Sequence, residues 1–428
     1  MKARGPGSKA EGMSTARFPN PSAPISLREP LRVLLLENIH ASAEKLLAAE
    51  GFVVERLAGA LKPQELAERL RGVHLLGIRS KTTVPEEALA HAGGLLAIGA
   101  FCIGTNQIDL GASNRHGIPC FNAPFSNTRS VAEMVIAEII VLTRQLFDRS
   151  REVHAGQWRK VATGSHEVRG KTLGIIGYGH IGSQLGVLAE SLGMRVIYYD
   201  TMTKLPLGNS RSAASLGELL AESDFVTLHV PATASTHMMM GTAEFAQMKK
   251  GACLINASRG TVVNIGALAQ ALRSKHLGGA AVDVYPEEPE TNSDGFLTEL
   301  QNLPNVVLTP HIGGSTEEAQ ESIGREVATS LIKFVRSGAT TGAVNFPQVE
   351  APLIPGTHRI LNVHRNIPGV LRDINRIVSD LNANIHAQVL STDANIGYLV
   401  MDLDQDVSAP VCDAIAGLNS DIKTRIVS

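Results

Sequence analysis

Aromatic side chains are scarce in this chain, 4% of 428 residues with a single tryptophan. Its cores must therefore be packed mainly from aliphatic residues, as in ordinary α/β proteins. Cysteine is scarce too. Cys102, Cys120, Cys253 and Cys412 are widely spaced and mostly lie in apolar segments, which fits neither a disulfide framework nor a zinc site; buried, reduced thiols of a cytoplasmic protein are the better reading. No charge surplus exists either, since the formal net charge is −2, so no overall field favours nucleic acid or an anionic membrane. The longest apolar stretches, such as Gly93 to Gly104, fall short of the roughly 18–20 residues a membrane span needs. No signal sequence is expected at the start.

What the chain does have is length and alternation. Its 428 residues exceed one ordinary core, and two or three domains are expected. Residues 1–30, rich in Gly, Pro, Ser and Ala, read as a disordered extension. From Leu31 onward short apolar strands alternate with helices, the pattern of a parallel sheet covered on both faces. Ser130-Val131-Ala132-Glu133 reads as a capping box opening a helix to about Phe147. That helix is apolar around much of its circumference, which suits a helix between domains or subunits and equally a core helix within one domain. A second alternating set begins at Lys171, giving another doubly wound sheet inserted in the chain of the first. The last seventy or so residues read strand, helix, strand, strand, helix, strand, a ferredoxin-like split sheet.

The chemistry-bearing residues cluster in the second set. Gly177-Tyr178-Gly179-His180-Ile181-Gly182 follows a strand and opens a helix, the context that makes a glycine pattern a dinucleotide turn. Gly177 permits the tight turn, Gly179 lets pyrophosphate reach backbone N–H groups, and Gly182 allows close helix–strand packing. Asp200 ends the next strand, where a carboxylate accepts ribose hydroxyls and repels a 2′-phosphate, so NAD is expected over NADP. Downstream, Arg259 sits at a strand end and is suited to grip a carboxylate in a two-point fork; a surface arginine capping a helix or pairing with an acid is the alternative. His311 lies between an apolar strand and Gly313-Gly314, where a neutral imidazole can remove a hydroxyl proton as the carbinol hydride leaves. Glu288 can orient that imidazole, although Glu287 or Glu288 can equally be a solvated loop acid. Arg79-Ser80-Lys81-Thr82 and Asn127-Thr128-Arg129 suit an anionic group such as a phosphate, or ordinary surface polarity.

Phe101-Cys102-Ile103-Gly104-Thr105-Asn106-Gln107 and the stretch from Asn122 to Glu133, with Leu173 to Gly182, Ile255 to Val263 and Leu308 to Gly314, resemble the D-2-hydroxyacid dehydrogenase family, in the branch ending in an ACT domain. The resemblance implies an α/β fold with two doubly wound parallel-sheet domains: a flavodoxin-like substrate-binding domain (31–127 and 313–345) and a Rossmann NAD domain (128–312). A linker (346–357) and a ferredoxin-like ACT regulatory domain (358–428) would follow. It implies Arg259, Glu288 and His311 as the catalytic set. NAD would be held by Gly177, Gly179, His180, Ile181, Gly182, Asp200, His229, Pro231, Ala257, Ser258, Arg259, Asp283, His311, Gly313 and Gly314, with Asp283 toward the nicotinamide carboxamide. Ile103, Gly104 and Asn127 would hold the substrate carboxylate, Arg79 and Ser80 its phosphate, and Lys160 would stand nearby, with Trp158 reaching a neighbouring subunit. In the last domain His364, Asn366 and Asn384 fall where the family binds serine. Two positions depart from relatives, Asn362 in place of a histidine and Ala58 in place of a basic residue.

The implied function is NAD-dependent oxidation of 3-phosphoglycerate to 3-phosphohydroxypyruvate, the opening step of serine biosynthesis, by a cytoplasmic homotetramer inhibited by serine, with no nucleic acid, membrane or metal partner. The alternatives are reduction of 2-oxoglutarate or another small 2-oxo acid, and an NAD-sensing corepressor-like binding protein. The ACT-like end speaks against the latter.

Overall fold

The computed structural model describes residues 30–289 and 295–427; the extension expected over residues 1–30 lies, apart from Pro30, outside them. Two compact units are present, one formed by the chain up to Ala123 together with Gly324 onward, the other by Pro124–Ile323.

In the first unit β1 (Arg32–Leu35), β2 (Val53–Arg56), β3 (Leu75–Ile78), β4 (Ala97–Ala100) and β5 (Cys120–Asn122) run parallel in the order β2-β1-β3-β4-β5, the flavodoxin-like arrangement. Leu34, Leu76, Ile78 and Ile98 fill one face of this sheet. On the other, Gly99 lets the helix Glu317–Ser337 approach closely: a Cβ there would lie 2.6 Å from Val327.

The second unit holds β6 (Thr172–Ile176), β7 (Arg195–Tyr199), β8 (Arg211–Ser212), β9 (Phe225–Leu228), β10 (Cys253–Asn256), β11 (Gly279–Val282) and β12 (Val306–Leu308). Their order, β12-β11-β10-β9-β6-β7-β8, is the Rossmann one, with the reversal between β6 and β9 where such sheets bind ligands. Successive residues feed opposite cores, Ile175 and Ile255 one, Ile176 and Leu254 the other, which is why these strands read as continuous apolar runs.

The expected capping box at Ser130 is not how the long helix starts. It begins at Thr128, and Asn127 occupies the cap position without a side-chain cap bond. Ser130 lies within the first turn, and its hydroxyl is spent on Thr316 at 2.8 Å. The helix also stops at Arg144, because Gln145 turns left-handed (φ 52) before a second helix, Leu146–His154. Val131, Val135, Ile139 and Leu142 pack into the sheet core, while Ile140 is exposed; within this chain it is a core helix of its own unit.

The C-terminal strands β13 (Thr357–Arg365), β14 (Ile385–Thr392), β15 (Ile396–Asp404) and β16 (Asp421–Val427) are antiparallel in the order β14-β15-β13-β16, the ferredoxin-like order. The helices Val370–Asp380 and Ser408–Ala416 cover one face through Ile374, Val378, Val411 and Ile415. The other face is tied to the first unit's remaining chain by buried polar groups. Arg359 pairs with Asp402 at 2.7 and 2.8 Å and donates to the Ser337, Ala351 and Pro352 carbonyls. Arg425 donates to the Phe334 and Val335 carbonyls, Tyr398 to Gly338 and Lys423 to Leu95.

Candidate active site

The dinucleotide turn is shaped by sterics. Gly177 has φ +92, and a Cβ on it would sit 2.3 Å from the His229 carbonyl oxygen; one on Gly182 would sit 2.3 Å from the Gly177 oxygen. Gly179 differs, since a Cβ there would meet nothing within 4 Å. It opens onto free space at the N-terminus of the helix His180–Ser191, whose first N–H groups lack intrahelical partners and suit a pyrophosphate. Asp200 is fixed at the end of β7 by the N–H groups of Tyr178 and Met202, both at 2.9 Å, and retains lone pairs for ribose hydroxyls. The residues present fit a dinucleotide. His229 shares its Nε2 with the Thr227 hydroxyl at 3.0 Å. Burial lowers its pKa to about 4, so the ring is neutral, and among the described residues its buried Nδ1 meets no partner.

Arg259, Glu288 and His311 all belong to this unit and act on one another. His311 Nδ1 lies 2.8 Å from Glu288 Oε2, and Glu288 Oε1 accepts the Tyr285 N–H at 3.1 Å. The structure thereby selects Glu288 over Glu287 as the imidazole's partner. The hydrogen bond to Glu288 raises the His311 pKa against the opposing effect of burial, with the Arg259 charge pulling it slightly back. Burial works against the Glu288 carboxylate, but the bonds from His311 and Tyr285 and the charges of His311 and Arg259 outweigh it, holding the group below its usual range. Arg259 is set by Asn256, whose Nδ2 donates to the Arg259 carbonyl at 3.1 Å and whose Oδ1 accepts the Ser258 hydroxyl at 2.8 Å. Gly260 follows because a Cβ there would collide with the Tyr285 carbonyl carbon at 1.9 Å.

His311 itself has φ +55, a left-handed conformation uncommon outside glycine. Asp283 enforces it. Its Oδ1 accepts the Thr309 hydroxyl at 2.6 Å and the Ile312 N–H at 2.8 Å, its Oδ2 the Gly313 N–H at 2.8 Å, and its carbonyl the His311 N–H at 2.8 Å. Asp283 is 2% exposed, so its first task is to clamp the loop that carries the imidazole. Asn127 Nδ2 would be only 2.3 Å from a Cβ on Gly314, placing Asn127 against the same loop. Glu138, on the helix Thr128–Arg144, went unnoticed in the sequence. Burial and the nearby Asp283 charge push its pKa up to about 8, and neither of its buried oxygens has a partner among the described residues.

The other expected site residues lie elsewhere. Ala257, Ser258 and Pro231 follow strand ends of the same sheet, and Lys160 is exposed in the irregular stretch after the helix Leu146–His154. Arg79, Ser80, Ile103 and Gly104 belong to the first unit. There the Ile103 carbonyl accepts from Asn122 at 2.6 Å, and a Cβ on Gly104 would meet nothing within 4 Å. In the C-terminal sheet His364 is buried, its Nδ1 2.8 Å from Asn362 Oδ1, while Asn362 donates to Asp421 and Thr424. Asn366 is exposed and donates to the Asp393 carbonyl at 2.7 Å. Asn384 precedes β14 at the end remote from His364, which pairs with Gly397, itself opposite Thr392.

Residues 136–313 match the family of the D-isomer specific 2-hydroxyacid dehydrogenase, NAD binding domain, and residues 360–419 that of the AHAS small subunit-like ACT domain. The chain is 55% identical to the D-3-phosphoglycerate dehydrogenase of Dictyostelium discoideum, over 94% of this chain and 98% of that one. It is 52% identical to the enzyme of the same name from Escherichia coli K12, over 95% and 100%. Among solved structures it is similar to the D-lactate dehydrogenase of Aquifex aeolicus complexed with NAD and lactic acid, with TM-score 0.64 and 27% identity, covering 74% of this chain and all of that one.

Proposed function

As the chain belongs to the D-isomer specific 2-hydroxyacid dehydrogenases and is an NAD-dependent dehydrogenase, we propose that it oxidises 3-phosphoglycerate at C2 to 3-phosphohydroxypyruvate. The observation that carries the reading is that Glu288 holds His311, with the Arg259 charge felt by both, in the unit whose sheet also carries the dinucleotide turn. NAD supplies the hydride acceptor, at nicotinamide C4. His311 Nε2, the nitrogen left over when Nδ1 is held by Glu288, takes the hydroxyl proton, and Glu288 offsets the charge that forms on the ring. Arg259 grips the substrate carboxylate and polarises the oxygen at C2. Gly179 would let the pyrophosphate approach, with His180 and Ile181 supplying the first helical N–H groups and Gly177 and Gly182 shaping the turn, and Asp200 would take the ribose. In the first unit, taken by itself, Arg79 and Ser80 are the candidates for the phosphate and the Ile103-Gly104 backbone for the carboxylate; Asn127 is the second unit's candidate for the carboxylate.

Serine inhibition belongs to the same reading. Within one chain His364 and Asn366 lie at one end of the C-terminal sheet and Asn384 at the other, so a site using all three needs a second copy. Paired sheets of this kind would build the homotetramer, a cytoplasmic one on this reading. The family's enzyme assay decides: purified protein with 3-phosphoglycerate and NAD should form NADH, and serine should suppress it. No NADH formation from 3-phosphoglycerate, alongside reduction of a small 2-oxo acid, would replace the substrate.

A further inference from the structure

The loop Arg79–Thr82, which the reading above assigns to the substrate phosphate, is wrapped around an anion supplied by the protein. Glu37 Oε1 accepts the N–H groups of Arg79 (3.1 Å) and Thr82 (2.9 Å), and Oε2 accepts that of Lys81 (2.9 Å). Backbone N–H groups of one loop converging in this way form an anion-binding concavity, and here it is already filled. Only a carboxylate takes three such donors without bringing a donor of its own. Glu37 is 8% exposed, whereas Ser80 and Lys81 are exposed. Delivering the carboxylate puts two consecutive residues in the left-handed region, Glu37 at φ 59 and Asn38 at φ 51, a strain that functional sites retain. Gln107 adds a second tie. Its Nε2 donates to the Arg79 carbonyl at 2.6 Å and lies 3.3 Å from the Gly104 carbonyl, joining this loop to the one expected to hold the substrate carboxylate.

We propose that Glu37 is the positioning residue of the phosphate loop: by occupying three of its backbone amides it sets the loop's shape and leaves recognition of the phosphate to side chains, Arg79 and Ser80 foremost. Such a loop discriminates by placed cations rather than by a general amide cradle. The inference rests on the proposed substrate, and its test separates the two.

Wild type, Arg79→Ala and Glu37→Gln are compared in steady-state oxidation of 3-phosphoglycerate and of D-glycerate, which lacks the phosphate. Glu37→Gln should raise KM for 3-phosphoglycerate about 10-fold, the scale of one lost charge-assisted hydrogen bond, with the loss falling on KM rather than kcat. The preference for the phosphorylated substrate should fall with it. If Arg79→Ala destroys that preference and a folded Glu37→Gln keeps it, the role of Glu37 is overturned and the substrate reading survives. If Arg79→Ala depresses both substrates equally, the phosphate reading itself fails. Should Glu37→Gln not fold, Gln107→Met cuts the second tie alone. A drop in the same preference of about threefold then supports the positioned loop, since neutral hydrogen bonds count for less, and wild-type preference overturns it.

Discussion

Two histidines of this chain sit in opposite circumstances. His311 is half exposed, its side chain 52% accessible, bonded through one ring nitrogen to a carboxylate that raises its pKa. His364 is 3% exposed, and burial lowers its pKa to about 4. The same contrast separates their neighbourhoods. Around His311 the side chains stay accessible to a ligand: Glu288, 35% accessible, holds the imidazole on one oxygen, and Arg259 is tied through one guanidinium nitrogen to the Ser258 carbonyl at 2.7 Å. In the C-terminal sheet Arg359 and Asp402, each 1% exposed, use their hydrogen-bonding groups on one another and on carbonyls. Similar residue types therefore do different work: an accessible polar cluster can act on a reactant, and a saturated one fixes two pieces of structure together.

The sharpest way to break the comparison is His311→Asn, because asparagine tolerates the left-handed backbone while removing the base. Turnover should fall by about 10²–10⁴ while NAD still binds; substantial residual oxidation would remove His311 from the chemistry. Asp402→Ala should do the reverse, leaving a buried guanidinium unpaired at a cost of about 3–5 kcal/mol in denaturant melts, with NAD affinity retained. A melt like wild type would show that the Arg359 pair is not structural glue. Glu288→Gln addresses the accessible cluster itself. Oxidation needs neutral imidazole, so activity is lost as pH falls through the His311 pKa, which Glu288 holds above its ordinary value. Without Glu288 the acid limb of kcat/KM should move to lower pH, and an unmoved limb would assign it to another group. The mildest change is Asn366→Ala. This exposed side chain should weaken serine inhibition by roughly 5-fold or more, the lower range of typical allosteric coupling, while the uninhibited rate and the melt stay put. Wild-type serine sensitivity would relocate the effector site.

Most of the fold was legible because buried parallel strands are marked by local apolar runs such as Leu173 to Gly177. Where pattern is short or absent, the reading failed. The two-residue strand Arg211–Ser212 has no periodicity to detect, and the left-handed break at Gln145 falls within an otherwise helical pattern. Ser130 carried the right spacing for a cap, yet its hydroxyl found Thr316, a partner no local window contains. In the candidate site, the glycine turn and the three reactive side chains stood out by chemical type and by position after strand ends. Glu37 did not, since the groups it holds begin 42 residues away, nor did Glu138, an acid on an apolar helix face. Contacts set by tertiary geometry leave little local trace.

The grip of Asp283 on the chain from Thr309 to Gly313 makes that carboxylate a ruler for the imidazole. Asp283→Glu would preserve charge and lone pairs and alter only reach, yet a displacement of about 1 Å at a reacting centre can cost about 10²-fold. Tolerance at this aspartate is thus governed by length before polarity, and a laboratory search for altered substrates would do better to vary the loops around it than the residue itself.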